Sequence, residues 1–208
     1  MHGYYFITGS SLSRAGNYSD CKNALSAGVR VVQYRNKDCG TKEMYEEAFE
    51  LRALCKNVTF LINDRLDIAL AVGADGVHIG REDIPYNAAR KILGKKKIIG
   101  ITAHSVKEAR QAQKLGADYI GVSPVFFTKT KKDAGKPAGL KLIKEIKKQV
   151  SIPVIAIGGI NLSNAKEAIE AGADGLCAIS AVVTKPDVKK EIEKFQAIFL
   201  RYGKSHFH

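Results

Sequence analysis

The sequence EAGADG at residues 170–175 recurs as AVGADG at residues 71–76 and as KLGADY at residues 114–119. A looser copy, SAGV, lies at residues 26–29. The glycine suits the left-handed residue at which a helix ends, and an apolar run begins a few residues later. The repeat therefore predicts a recurring helix-to-strand joint, which is typical of parallel α/β proteins.

Eight short apolar runs bounded by turn residues are spread along the chain, at residues 5–8, 29–35, 59–64, 76–80, 98–102, 119–124, 154–159 and 176–180. Most are continuous rather than alternating, which indicates parallel strands covered on both faces. Helical patterning lies between them at residues 41–55, 105–115, 140–150, 164–171 and 186–202. Thr41 and Ser105 are the predicted N-caps of the first two helices, and Glu108 would complete a capping box with Ser105.

Eight strands that alternate with helices match the number that a closed barrel requires. The sequence therefore predicts the α/β class and one (β/α)8 TIM-barrel domain over residues 1–208. An open doubly wound sheet is the competing architecture. The count of eight units and the absence of a GxGxxG sequence favour the barrel.

Charge and composition restrict the partners. The chain has 33 Lys and Arg against 21 Asp and Glu, a formal net charge of +12. This excess suits anionic ligands, either metabolite phosphates or nucleic acid. The lysines are spread over helical stretches, and neither a zinc-finger pattern nor an aromatic RNA-binding motif occurs. We interpret most of this charge as a solvated surface, so that the excess alone does not decide between these ligands. The partners that we expect are small phosphorylated molecules, and no nucleic acid.

The cysteines and the apolar runs indicate a location. The four cysteines form no CxxC sequence and no Cys/His cluster, which argues against disulfides and structural zinc and favours a reducing compartment. No apolar run approaches the ~20 residues that span a bilayer, and the first residues do not resemble a signal peptide. We expect a cytoplasmic protein with no membrane partner, and a homo-oligomer is left open.

Polar residues at the end of the second predicted strand indicate an anion site. In a (β/α)8 barrel the carboxyl ends of the strands and the loops after them build the active site. Gln33, Arg35 and Lys37 should share one face, because alternate side chains of a strand point the same way. An amide and two cations at the barrel mouth suit a polyphosphate. A surface charge cluster is the alternative.

Two carboxylates follow the neighbouring strands. Asp64 lies at the end of the third predicted strand and Asp83 lies just beyond the fourth, so that they can share one hard cation such as Mg²⁺. An N-cap is the alternative for Asp64, and a turn is the alternative for Asp83. Thr102 can offer a hydroxyl to a ligand from the end of the fifth strand. His78 is expected to be a satisfied histidine inside the barrel, whereas His104 is open between acid–base and packing roles.

The last three strand ends point to a second anion site. The sixth strand leads into a loop in which Thr128, Lys129, Thr130 and Lys131 predict a mobile phosphate-binding lid; a solvated disordered loop is the alternative. The seventh and eighth strands end at Gly158-Gly159 and at Ile179-Ser180. Glycines in these loops allow backbone N–H groups to approach a phosphate.

Taken in order, these motifs resemble the thiamine phosphate synthase family over nearly the whole chain. They lie at residues 33–37, 63–65, 76–80 with 82–83, 100–104, 121–131, 156–160 and 179–180. The resemblance implies a transferase of thiamine biosynthesis that uses Mg²⁺. Such an enzyme joins 4-amino-2-methyl-5-pyrimidinylmethyl diphosphate to thiazole phosphate and releases diphosphate.

The resemblance also implies roles for individual residues. It assigns the pyrimidine diphosphate to Gln33, Arg35, Lys37, Asn63, Thr102 and Lys131, and Mg²⁺ to Asp64 and Asp83. It assigns the thiazole phosphate to Thr128, Thr130, Gly159, Ile179 and Ser180. Tyr34, Asn36 and Lys129 complete the substrate-binding set, and Arg35, Lys37 and Lys131 would act catalytically on the departing diphosphate.

Two other functions remain open. A thiazole tautomerase relative uses the same barrel but generally lacks the diphosphate and magnesium residues, all of which are present here. A non-catalytic protein that binds thiamine phosphates, or a basic protein that binds nucleic acid, is the alternative from a different class.

Overall fold

All eight predicted strands are present in the computed structural model, which describes residues 1–128, 130 and 135–203. The strands are β1 (Gly3–Ile7), β2 (Val31–Tyr34), β3 (Thr59–Asn63), β4 (Gly76–Ile79), β5 (Ile98–Ala103), β6 (Tyr119–Val122), β7 (Val154–Ile157) and β8 (Gly175–Cys177). The helices of the described residues are α1 (Asn17–Ser26), α2 (Thr41–Leu54), α3 (Leu66–Ala71), α4 (Tyr86–Leu93), α5 (Val106–Leu115), α6 (Gly139–Lys147), α7 (Ala165–Glu170), α8 (Ser180–Val183) and α9 (Val188–Tyr202). Within these residues, no helix combines the length and the apolar character needed to cross a bilayer.

The strands form a closed parallel barrel. Each strand pairs with the next one in the chain, and β8 pairs with β1. At this closing seam Gly3 lies opposite Gly175, and Tyr4 lies opposite Leu176. The closure confirms the predicted (β/α)8 fold and excludes the open doubly wound sheet. Because all strands run in one direction, their carboxyl ends open at the same rim.

The strands bury both of their faces. In β1, Tyr4 and Phe6 join a large core between the sheet and the helices, whereas Tyr5 and Ile7 point into the barrel. The inner core also contains Val31, Leu61, Tyr119, Ile155 and Cys177. Burial on both faces explains the continuous apolar runs of the sequence. Two of the inner residues are tyrosines, whose hydroxyls need hydrogen-bond partners inside the barrel.

Two helix starts test the predicted caps. The Ser105 side chain accepts a hydrogen bond from Glu108 N, which confirms Ser105 as the N-cap of α5. The Glu108 carboxylate accepts a hydrogen bond from His104 N at 2.7 Å, one residue before the Ser105 N that a capping box would use. The prediction for Thr41 is wrong: Gly40 is the N-cap of α2 without a side-chain cap bond. Thr41 is the first helical residue, and its hydroxyl accepts a hydrogen bond from Arg65.

The repeated joints connect helices to strands as predicted. Their glycines have positive φ angles, of 65° at Gly73, 93° at Gly116 and 105° at Gly172. Each of these residues follows the last turn of a helix, where the left-handed conformation favours glycine. The joints therefore reverse the chain at the rim opposite the carboxyl ends of the strands.

The aspartates of the joints tie neighbouring elements together. Asp174 accepts a hydrogen bond from Val154 N at 2.7 Å and pairs with Lys147 Nζ at 2.6 Å. The same arrangement recurs twice: Asp75 binds Phe60 N and Arg52, and Asp118 binds Ile99 N and Arg90. In each case the aspartate lies just before one strand, and its carboxylate accepts a hydrogen bond from a backbone N–H of the strand that comes earlier in the chain. The same carboxylate pairs with a cation on the helix that leads into that earlier strand. The conformational role of the glycine was predicted, but this role of the aspartate was not.

Asp174→Ala is expected to destabilise the barrel by about 2–4 kcal/mol, because it leaves a buried N–H and a lysine without their partner. The measurement is the free energy of unfolding in urea. Asp118→Ala is the matched variant, and we expect a smaller loss from it. The Asp118 side chain is 43% exposed, whereas that of Asp174 is 7% exposed. Equal losses in the two variants would contradict the explanation from burial.

Candidate functional site

A cavity of about 870 Å³, including its open mouth, lies at the carboxyl ends of the strands. It receives side chains from both anion sites that the sequence predicts. The predicted residues that line it are Gln33, Arg35, Lys37, Asn63, Asp64, Asp83, Thr102, Thr128, Thr130, Gly159, Ile179 and Ser180. The fold therefore brings together residues that are up to 147 positions apart in the sequence, from Gln33 to Ser180.

Tyr34 and Asn36 do not line this cavity, and their place in the substrate-binding set stays a prediction. The Tyr34 hydroxyl donates to Glu47 Oε2 at 2.5 Å, and Asn36 Nδ2 donates to the same oxygen at 3.3 Å. Alternation along β2 and the loop after it sends Gln33, Arg35 and Lys37 to the barrel mouth and these two side chains toward α2.

Three other predictions have different outcomes. Lys129 and Lys131 lie outside the described residues, so that their roles and the proposed lid stay predictions. His104 is exposed and does not line the cavity. Its backbone N–H binds Glu108 at the start of α5, and nothing at the cavity supports an acid–base role for its ring.

An acidic pair lies on one side of the cavity. Among the described residues, Asp64 is the one non-glycine residue with a positive φ, of 62°. Its backbone N–H donates to His78 O at 2.9 Å, and its side chain forms an ion pair with Lys37 Nζ at 2.6 Å. Asp83 Oδ2 accepts a hydrogen bond from Gly80 N at 2.6 Å. The Asp83 carboxylate is thus held by a backbone N–H and the Asp64 carboxylate by Lys37, and both residues line the same cavity.

The two carboxyl groups are close enough to affect one another. Burial raises the pKa of Asp83, and its hydrogen-bonding contact with Asp64 raises that pKa further. Two adjacent carboxylates fit a hard divalent cation that completes its shell with phosphate oxygens and water. Among the described residues, no group of three or more His, Cys, Asp or Glu side chains forms a metal cluster. A cation here would therefore need ligands besides the two carboxylates.

Arg35 supplies a cation beside the acidic pair. Its backbone is held on both sides: Arg35 N donates to Thr8 Oγ1 at 2.8 Å, and Arg35 O accepts a hydrogen bond from Ser10 Oγ at 3.0 Å. Arg35 lines the cavity, and its guanidinium has no ion-pair or hydrogen-bond partner within the described part of the chain. It is therefore available to an anionic ligand.

Among the described residues, glycine backbone and threonine side chains form the opposite side of the cavity. Gly158 and Gly159 have φ angles of 90° and 68°. A Cβ atom at Gly159 would lie 2.5 Å from Phe127 O, so that the loop after β7 packs directly against the loop after β6. Thr128 and Thr130 lie in that second loop, and Thr130 N donates to Thr128 Oγ1 at 3.2 Å. Glycine is needed here for close approach as well as for its φ angle.

Residues 4–182 match the family described as Thiamine monophosphate synthase. The chain belongs to this family. The thiamine-phosphate synthase of Methanosarcina barkeri (strain Fusaro / DSM 804) is 51% identical over 203 residues, which cover 97% of this chain and 92% of that protein. The thiamine-phosphate synthase of Methanosarcina mazei is 53% identical over 193 residues, covering 92% of this chain and 80% of that protein. The solved structure of thiamine phosphate pyrophosphorylase from Pyrococcus furiosus has a TM-score of 0.89 and 40% identity, covering 96% of each chain.

In this member of the thiamine monophosphate synthase family, further residues line the cavity that the sequence did not single out. Ser123 follows β6, and Cys177 ends β8. Every second residue of a strand shares one face, so that counting in steps of two from the inward residues of β6 and β8 could have identified both. His78 was expected inside the barrel, which is confirmed by its 6% exposure. It also lines the cavity and contacts Thr102, which was not predicted.

Proposed function

We propose that this transferase condenses 4-amino-2-methyl-5-pyrimidinylmethyl diphosphate with thiazole phosphate, giving thiamine phosphate and diphosphate. The observation that carries the proposal is the division of one cavity into two anion sites of different chemistry. Side-chain cations and an acidic pair lie on one side, and a glycine-rich backbone with threonine hydroxyls lies on the other. Membership of the thiamine monophosphate synthase family supports this reaction.

The charged side of the cavity would bind the pyrimidine diphosphate. Arg35 offers planar, bidentate hydrogen bonds to phosphate oxygens, and Lys37 offers a point charge. Gln33, Asn63 and Thr102 would contact the rest of this substrate. Asp64 and Asp83 would hold Mg²⁺, which supplies charge neutralisation for diphosphate when it is bound. Because Lys37 pairs with Asp64 here, the diphosphate and Lys37 would form new contacts when the substrate enters.

The reaction needs positioning and charge stabilisation, and it needs no protein nucleophile. The bond between the pyrimidine methylene carbon and the diphosphate oxygen breaks, and the electron pair leaves with diphosphate. Arg35 and Lys37, together with the predicted Lys131, would stabilise the departing charge. The lone pair of the thiazole nitrogen forms the new bond to the methylene carbon. The thiazolium product then carries the positive charge.

The glycine-rich side of the cavity would hold the thiazole phosphate. Thr128 and Thr130 can donate hydroxyl hydrogen bonds, and the backbone of Gly159, Ile179 and Ser180 can approach a phosphate closely. This phosphate is not released during the reaction. Its site therefore does not have to stabilise a charge that develops during bond breaking.

Magnesium binding should depend on pH through Asp83. The raised pKa of Asp83 means that the folded chain holds this proton to a higher pH than the unfolded chain does. Without metal, the stability contributed by this group is therefore greatest at low pH and falls as the pH rises through the raised pKa. We expect added Mg²⁺ to raise Tm near neutral pH, and this increase to vanish as the pH falls through that pKa.

The measurement is thermal unfolding with and without Mg²⁺ across the acid to neutral range. Asp83→Asn is the control, because the amide oxygen can still accept the Gly80 hydrogen bond but the group does not titrate. This variant should show a smaller Mg²⁺ effect that no longer depends on this titration. A wild-type Mg²⁺ effect that persists unchanged at the acid end would refute a shared site at Asp64 and Asp83.

The decisive test of the reaction is a direct assay. The purified chain is mixed with both substrates and Mg²⁺, and thiamine phosphate and diphosphate are measured. Equal amounts of the two products are expected. A folded chain that binds both substrates without forming a product would be a binding protein, and isomerisation of the thiazole alone would identify a tautomerase.

We further propose that the chain works in the cytoplasm. The four cysteines are free thiols in the structure, which agrees with a reducing compartment. Retention of activity in reducing buffer, with four titratable thiols after unfolding, is the expected result.

A further inference from the structure

A chain of hydrogen bonds crosses the inside of the barrel between two residues of the cavity. Gln33 Nε2 donates to the Tyr5 hydroxyl at 2.7 Å, and the Tyr5 and Tyr119 hydroxyls lie 2.7 Å apart. The Tyr119 hydroxyl is 2.9 Å from His78 Nδ1, and His78 Nε2 is 2.9 Å from Thr102 Oγ1. The five residues belong to five strands: β2, β1, β6, β4 and β5. The two ends of the chain, Gln33 and Thr102, line the cavity.

The middle of this chain is packed rather than solvated. Tyr119 is 0% exposed and Tyr5 is 2% exposed. The Tyr119 ring occupies space that is open only because residue 100 is glycine, since a Cβ atom there would lie 2.0 Å from Tyr119 Cζ. Burial raises the pKa of both tyrosines, so that both hydroxyls keep their protons at neutral pH. Each buried hydroxyl therefore needs an acceptor for its hydrogen.

The direction of the hydrogen bonds follows from that need. Gln33 Nε2 donates to the Tyr5 oxygen, so that the amide offers the Tyr5 hydrogen no acceptor, and this hydrogen is directed to Tyr119. The Tyr119 hydrogen is then directed to His78 Nδ1. A neutral imidazole that accepts at Nδ1 carries its proton on Nε2 and donates it to Thr102 Oγ1. If Nδ1 were protonated instead, one tyrosine hydrogen of the chain would lose its acceptor.

We propose that His78 is a positioning residue that makes the Thr102 hydroxyl a hydrogen-bond donor toward the substrate. Because Thr102 Oγ1 accepts from His78, its own hydrogen is free to point into the cavity. At the other end, Gln33 Nε2 gives one of its two hydrogens to Tyr5, and this bond orients Oε1 as the acceptor that the amide offers to a ligand. The hydrogen-bond chain thus presents the Thr102 hydroxyl as a donor and Gln33 Oε1 as an acceptor to the cavity.

This pattern selects for an aminopyrimidine and rests on the proposed function. A 4-aminopyrimidine has a ring-nitrogen acceptor beside an amino donor, which is complementary to the Thr102 donor and the Gln33 acceptor. The corresponding 4-oxopyrimidine has a ring N–H donor beside a carbonyl acceptor, which is the reverse pattern. The buried tyrosines would therefore contribute to discrimination against the deaminated substrate without touching either substrate.

Tyr119→Phe tests the hydrogen-bond chain at a residue that does not line the cavity. The variant keeps the aromatic ring and removes the hydroxyl that joins Tyr5 to His78. We expect the ratio of kcat/KM for the 4-aminopyrimidine diphosphate to kcat/KM for the 4-oxopyrimidine diphosphate to fall by about tenfold. This is the discrimination between substrates that one hydrogen bond provides. The change should lie in KM for the pyrimidine substrate, while KM for thiazole phosphate stays unchanged. Tyr86→Phe is the matched control, because the Tyr86 hydroxyl donates to Gly116 O and is not part of the hydrogen-bond chain.

The second measurement is the tautomer of His78 in the wild-type protein, read from the ¹⁵N chemical shifts of its ring. A proton on Nε2 with a bare Nδ1 is expected, and this readout holds even if Tyr119→Phe fails to fold. A proton on Nδ1, or equal discrimination in Tyr119→Phe and Tyr86→Phe, would overturn the inference. A wild-type chain that forms no thiamine phosphate would refute the proposed function instead, and the tautomer would still test the hydrogen-bond chain.

Discussion

Asp64→Asn is expected to lower kcat/KM by about 10³-fold, or ~4 kcal/mol of transition-state stabilisation, while the barrel stays folded. The change removes one of the two carboxylates proposed to hold Mg²⁺, and it also removes the ion pair with Lys37. Since Asp83 remains, excess Mg²⁺ should restore part of the activity. The measurement is the rate of thiamine phosphate formation as a function of Mg²⁺ concentration.

The choice of asparagine separates charge from backbone conformation. Asp64 has a φ of 62°, a conformation that asparagine adopts more readily than most residues. Asp64→Ala removes the same charge but should also lower the free energy of unfolding by about 1 kcal/mol. Asp38→Asn is the charge-matched control, because Asp38 is exposed and does not line the cavity. Turnover of Asp64→Asn equal to that of Asp38→Asn would rule out the metal role.

Arg35→Ala is expected to lower kcat by about 10²–10³-fold, the usual cost of removing one donor that stabilises developing charge. Arg35 lines the cavity, and its guanidinium has no partner within the described residues, so that the alanine variant should keep the stability of the wild-type chain. KM for the pyrimidine diphosphate should rise as well, because the guanidinium also contacts the bound substrate. Steady-state kinetics with each substrate varied in turn is the measurement.

Two further variants define what Arg35 contributes. Arg35→Lys keeps the charge but loses the planar pair of donors, and about a tenfold loss is expected from the weaker phosphate contact. Arg110→Ala makes the same change in net charge at an exposed position of α5 and should leave kcat and KM unchanged. If Arg35→Ala matched Arg110→Ala, the proposed role of Arg35 in diphosphate departure would be wrong.

The sequence predicted the position of the site better than the direction of every side chain in it. Gln33, Arg35 and Lys37 were expected on one face from alternation along the strand, and they line the cavity together. Tyr34 and Asn36 entered the predicted set through the family resemblance, and the structure turns both toward Glu47. Alternation alone would have separated the two groups. A motif shows that a segment is near a site, whereas the strand period decides which of its residues face it.

Other contacts had no local signal. The ion pair of Lys37 with Asp64 and the bonds of Asp75, Asp118 and Asp174 to neighbouring strands join residues that are 15 to 27 positions apart. The chain from Gln33 through Tyr5 and Tyr119 to His78 joins residues up to 114 positions apart. Each depends on which side chains the closed barrel brings face to face.

The sequence by itself determined the repeated unit, the direction of the strands and the rim that carries the polar residues. These features follow from hydrophobic periodicity and from glycines at helix ends, which act over a few residues. Only the tertiary structure decided that EAGADG and its copies place an aspartate against a neighbouring strand, and that two tyrosines and a histidine connect Gln33 to Thr102 inside the barrel. The physical reason is that a buried polar group must find a partner in space, and barrel closure determines which partners are within reach.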